Sequence, residues 1–147
     1  MAPQLAIGDT LITGAITTQL ARWPRLHTLS SRGLPVDDAD AAQLAEAPRL
    51  RVLDLSASRV TDGRLLHAAP RLEVLGLAET AIDRDDLAAL AGLPRLRELA
   101  ISSCGFDRRA LPVLRAITTL RWIDLRGNAI TPAQAGRALP GVTLAND

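Results

Sequence analysis

The 147-residue sequence predicts an α/β solenoid, a right-handed horseshoe arc of about six units of 22–24 residues, with a parallel sheet on its concave side and short helices on its convex side. Three observations predict it. Leu26, Leu50, Leu72, Leu96 and Leu120 recur at spacings of 24, 22, 24 and 24 residues, the mark of a stacked array. Counting each leucine as slot 1, apolar side chains return at slots 4 and 6, the alternation of a half-buried strand. Slot 12 then holds Thr13, Asp37, Thr61, Asp83, Asp107 or Thr131, residues whose side chains cap helix N-termini.

Each element follows from these slots. The units start near residues 2, 26, 50, 72, 96 and 120 and are expected to form one domain over residues 1–147. Slot 4 reads Leu5, Leu29, Leu53, Leu75, Leu99 and Ile123, and slot 11 reads Ile12, Val36, Val60, Ile82, Phe106 and Ile130. Slot 6 is apolar except at Ser31. A strand only a few residues long cannot bury its own inward face, so neighbouring units must stack to make a core. That core is aliphatic, because the sequence has three aromatic residues, Trp23, Phe106 and Trp122. A short helix is expected after each slot 12, with Pro132 at the first helical position of the last unit. Pro24, Pro48, Pro70 and Pro94 stand two residues before the next slot-1 leucine and end the helices there. Trp23, just before such a turn, is expected to fill the space between adjacent units. Val142–Leu144 is expected to add a seventh, partial strand, and the first edge, around Leu5–Ile7, has no evident cover.

The segments LRVLDLSASRV, LEVLGLAETAI, LRELAISSCGF and LRWIDLRGNAI resemble leucine-rich repeats, and the pattern covers practically the whole chain. The unit length and capped helical segment resemble the subclasses with helical convex sides, as in ribonuclease-inhibitor-like and F-box-associated arrays. That family places a turn-bonding Asn or Cys at slot 9, which here reads Thr10, Leu34, Ser58, Thr80, Cys104 and Asn128. Leu34 and Ser31 both depart from the pattern in the second unit. The resemblance implies a curved scaffold that most often binds protein, and it does not specify a partner.

Composition narrows the function classes. Seventeen basic residues, all arginine, face sixteen acidic ones for a net charge of +1, so no chain-wide field attracts nucleic acid or an acidic membrane. The absence of lysine reads as GC-rich codon use and points to a bacterial source. No apolar run approaches the ~20 residues that span a bilayer, and no secretory leader is evident at the N-terminus. A single cysteine, Cys104, forms neither an internal disulfide nor a multi-cysteine zinc site, and the cytoplasm is the expected compartment. Cys104 occupies slot 9, a structural place, and the histidines His27 and His67 fall on different faces. The acidic clusters Asp37, Asp38 and Asp40, and Asp83, Asp85 and Asp86, stand where helices begin and are expected to cap them. No catalytic residues, metal ligands or cofactor are therefore assigned, and the chain is read as a non-enzyme.

What the repeat leaves unconstrained is the outward row of the sheet. Slot 3 reads Thr28, Val52, Val74, Glu98 and Trp122, slot 5 reads Ser30, Asp54, Gly76, Ala100 and Asp124, and slot 7 reads Arg32, Ser56, Ala78, Ser102 and Arg126. The middle units offer a smooth floor, and the last offers an aromatic anchor flanked by both signs of charge. Trp and Arg dominate interface hot spots. The expected function is a protein-interaction module, adaptor, inhibitor or immunity factor, binding another protein through Val52, Asp54, Val74, Glu98, Trp122, Asp124 and Arg126. The alternatives are a self-associating module that pairs through its N-terminal edge as a homodimer, and a segment of a larger repeat protein.

Overall fold

A computed structural model of the protein describes residues 4–6, 19 and 21–145. Its strands are β1 (Gln4–Ala6), β2 (Thr28–Ser30), β3 (Val52–Asp54), β4 (Val74–Gly76), β5 (Glu98–Ala100), β6 (Trp122–Asp124) and β7 (Thr143–Leu144). They form one parallel sheet in sequence order, so each unit neighbours only the units before and after it. The seventh strand begins one residue later than the sequence suggests. The expectations placed on Ile7, Thr10, Ile12 and Thr13 lie outside the described residues.

The strand slots are buried as the alternation requires. Leu29, Leu53, Leu75, Leu99 and Ile123 are fully inaccessible, and Val36, Val60, Ile82, Phe106 and Ile130 close the core beneath the turns. Ser31 is equally buried, and its hydroxyl donates to the Asp54 carbonyl at 3.2 Å, so the break in slot 6 is polar but satisfied. Leu34, the departure at slot 9, joins the core. The second unit thus exchanges an apolar and a polar position without losing burial.

The convex side carries α1 (Asp38–Ala45), α2 (Arg84–Leu90), α3 (Leu111–Arg115) and α4 (Pro132–Ala138), with 3-10 helices at Gly63–Ala68 and Arg108–Ala110. Asp37, Asp83 and Thr131 form reciprocal capping boxes with Asp40, Asp86 and Gln134. The third unit departs from expectation, because Asp62 rather than Thr61 caps its helix and that helix is 3-10. Unit length explains the change: this unit is 22 residues long, two fewer than its neighbours. Six residues at the ~2.0 Å rise of a 3-10 helix cover the same ~12 Å as eight residues of α-helix. Neighbours then hold the short unit on both sides. Asp38 accepts from the Thr61 amide and hydroxyl, both at 2.7 Å, and from the Asp62 amide at 3.0 Å. Asp86 accepts from the Gly63 amide at 3.1 Å. The acidic clusters therefore cap helices and also tie one unit to the next.

The turns share a backbone feature that residue type marks at only two of five positions. At slot 8, Gly33, Ala57, Glu79, Ser103 and Gly127 all have positive φ, between 54° and 74°. The first four donate their amides to the slot-7 carbonyls of the following unit at 2.8–2.9 Å, which prolongs the ladder beyond the strands. Trp23 also differs from expectation. The matching positions Ala47, Ala69, Leu93 and Ile117 are buried, whereas Trp23 is 49% exposed. The next two units fill this slot with alanine, and an indole exceeds that space.

Candidate protein-binding face

The register brings the slot-3 residues into one row, because Thr28 pairs Val52, Val52 pairs Val74, Val74 pairs Glu98, and Glu98 pairs Trp122. Adjacent members stand one interstrand spacing apart, ~4.8 Å. Thr28, Val52, Val74 and Trp122 are partly buried and Glu98 is exposed. The row lines a shallow depression of about 310 Å3, to which Ser30, Arg32, Asp54, Ser56, Gly76 and Ala100 also contribute. Gly76 and Ala78 are buried, so this part of the face carries no long side chains.

The sequence places Asp54 and Asp124 alike, and the structure separates them. Asp124 is only 5% exposed and is clamped by Arg126, with Nε donating to Oδ1 at 2.9 Å and Nη2 to Oδ2 at 2.8 Å. The Arg126 amide adds a third bond to Oδ1 at 3.1 Å. The Arg126 hydrogen bond holds the Asp124 carboxyl below the ordinary aspartate range, against the opposing effect of burial. Asp124 is thus a positioning group, and the arginine side chain it fixes remains half exposed. Asp54 Oδ1 accepts from the Ser56 amide at 3.0 Å, with no arginine across it.

Two further residues shape this face. A Cβ on Gly76 would stand 2.3 Å from Asp54 Oδ1 and 2.9 Å from its Cγ, so the carboxylate lies directly over the missing side chain. Ser56 Oγ accepts from the Ala78 amide at 3.1 Å, which fixes the floor next to it. Arg32 and Glu79 meet at 3.2 Å across the slot-7 side, both well exposed. The sequence signal for Gly76 and Ser56 is their place at slots 5 and 7 of the outward row. What each touches depends on side-chain direction, which the slot pattern does not carry.

The slot-9 groups build the turn behind this face. Asn128 donates from Nδ2 to the Ile101 and Leu125 carbonyls at 2.8 and 3.0 Å, while its Oδ1 accepts the Cys104 and Phe106 amides at 3.1 and 3.0 Å. The free Cys104 thiol donates to the Leu77 carbonyl at 3.1 Å, consistent with a structural place. Among the described residues no helix is long and apolar enough to cross a membrane.

No protein-family model and no curated protein matches the sequence. Among solved structures, the chain is similar to an internalin (inlF) from Listeria monocytogenes str. 4b F2365, with a TM-score of 0.71 and 22% identity over 88% of this chain and 38% of that one. It is also similar to an internalin C2 (inlC2) from the same strain, with a TM-score of 0.58 and 21% identity over 87% of this chain and 65% of the other. The chain therefore spans less than two thirds of either neighbour. At these identities the likeness is one of fold, and the fold is an α/β leucine-rich-repeat solenoid.

Proposed function

We propose that this protein recognises another protein through its concave sheet, in an adaptor, inhibitor or immunity-type role in the cytoplasm. The observation that carries the reading is the aligned row Val52, Val74, Glu98 and Trp122 above a floor of small residues. Trp122 has no place in the repeat's core and supplies the anchor. Asp124 holds Arg126 in one orientation, so less side-chain entropy is lost when the guanidinium meets a partner. Asp54 and Glu98 set the charge that the partner must match.

The test is capture from a lysate of the encoding organism by wild type and by Trp122→Ala, with the captured protein then titrated against both. Loss of ~2 kcal/mol, about thirtyfold in Kd, is expected for a hot-spot tryptophan. Equal affinity for a folded Trp122→Ala variant would remove the concave row as the site. A second reading is favoured by β1, which pairs only β2 among the described residues and leaves a strand edge for a second copy. Light scattering that gives one protomer mass across the micromolar range would exclude that homodimer.

A further inference from the structure

The two rims of the arc differ in charge, and on one of them arginines recur with the Pro-Arg-Leu segments that end at Leu26, Leu50, Leu72 and Leu96. The segments that lead into the strands, residues 21–27, 46–51, 68–73, 91–97, 115–121 and 137–141, carry ten arginines against two acidic residues. The segments that leave the strands and start the helices, residues 31–40, 55–64, 77–86, 101–109 and 125–134, carry seven arginines against nine acidic residues. A nearly neutral chain is thus polarised across its width. Helix dipoles account for the acids at helix N-termini and for Arg115 in a last turn. They do not account for Arg49, Arg71 and Arg95, which follow the helix-ending prolines.

Pairing sharpens the contrast. On the strand-end rim, Arg64 meets Asp62 at 2.8 Å and Arg109 meets Asp107 at 2.6 Å. Among the described residues, the strand-start rim holds one ion pair, a loose 4.0 Å contact of Arg51 with Glu73. Arg49, Arg71, Arg95 and Arg97 are exposed and have no carboxylate partner among the described residues. Arg95, Arg97 and Arg121, with the acidic Glu73 among them, border a depression of about 370 Å3 on this rim. The half-exposed Trp23 stands on the same rim, in the turn before β2.

We propose that the strand-start rim is a second docking surface, which takes an acidic polypeptide segment. Its carboxylates pair with the row Arg49, Arg71 and Arg95, and one of its apolar side chains covers Trp23. Guanidinium forks suit carboxylates in bidentate geometry. The row recurs at about the interstrand spacing, ~5 Å, within reach of successive acidic side chains. Glu73 interrupts the parallel row of Arg51, Arg97 and Arg121 near its middle, which breaks a continuous phosphate track but leaves discrete carboxylate sites. The surface is separate from the concave row, so its test does not involve Trp122.

The probe is a fluorescein-labelled peptide of about 20 residues built from Glu-Glu-Leu-Glu, titrated by anisotropy at about 50 mM and about 300 mM salt. Wild type is expected to bind at low salt and to lose about tenfold or more at high salt. R49E/R71E/R95E is expected to lose at least about tenfold, with R49Q/R71Q/R95Q as the milder companion. Trp23→Ala is expected to weaken binding severalfold. Circular dichroism checks that each variant keeps its fold. The proposal is overturned by absence of wild-type binding, by undiminished binding of both folded triple variants, or by tighter binding of a single-stranded DNA of similar length.

Discussion

Asp54 and Asp124 occupy the same register position three units apart, yet one carboxylate faces the concave depression and the other is buried beneath an arginine. Both accept a hydrogen bond from the amide two residues on, Ser56 at 3.0 Å and Arg126 at 3.1 Å, so the backbone treats them alike. The side chain at slot 7 makes the difference. Ser56 is short and turns to the Ala78 amide, whereas Arg126 folds back onto both oxygens of Asp124. One repeat position thus yields a carboxylate exposed to a partner in the third unit and a structural clamp in the sixth. In a solenoid, the slot fixes the face, and the neighbour two residues away decides whether the group is available.

The largest expected effect follows from that clamp. Asp124→Ala removes three hydrogen bonds from a buried carboxylate, two of them to a guanidinium, and should destabilise the protein by about 2 kcal/mol. Asp54→Ala loses one hydrogen bond, from the Ser56 amide, at a more accessible group and should cost about 1 kcal/mol or less. Denaturant midpoints of the two variants measure the difference directly, and equal losses would break the distinction between the two sites.

A smaller effect tests the packing of Asp54. Gly76→Ala places a methyl group 2.3 Å from Asp54 Oδ1, and the carboxylate must swing away from the Ser56 amide to admit it. The expected cost is about 1 kcal/mol, and most of it should vanish in the Gly76→Ala, Asp54→Ala double variant. A double-mutant cycle by urea unfolding reads this coupling. Strict additivity would mean that the two residues do not share the space the structure assigns them.

The same contrast shows what the sequence made legible. Slots 4 and 11 were readable because burial in a stacked array leaves only apolar choices, and Leu53 or Val60 can be replaced by little else. Asp37 and Asp83 were readable as caps because a helix N-terminus has orphan amides wherever it occurs. The left-handed turns were not, since Ala57, Glu79 and Ser103 carry none of the signal that Gly33 and Gly127 do. Their conformation comes from ladder bonds to the next unit, a long-range cause. Trp23 misled for a related reason: its slot is a core slot, but its volume belongs to no neighbour. At the candidate site the row itself was legible, because register follows the repeat. The clamp of Asp124 by Arg126 depended on rotamers that the pattern leaves open.

The smallest effect concerns pH. Arg126 holds the Asp124 carboxyl below its ordinary value, so the pair contributes stability above the unfolded aspartate pKa of about 3.9 and loses it as pH falls through the lower folded value. Arg126→Met keeps much of the aliphatic stem and removes the guanidinium. Its stability deficit relative to wild type should be constant between about pH 7 and pH 5, then shrink below about pH 4 as Asp124 protonates in both proteins. Asp107, pushed down to about 2 by Arg109, titrates in wild type and variant alike and cancels from the difference. Melting temperatures of the two proteins across this range test the sign. A deficit that persists unchanged at pH 3 would mean that the guanidinium stabilises the last full unit through contacts that do not need the Asp124 charge, and the contrast with Asp54 would then rest on packing instead of charge.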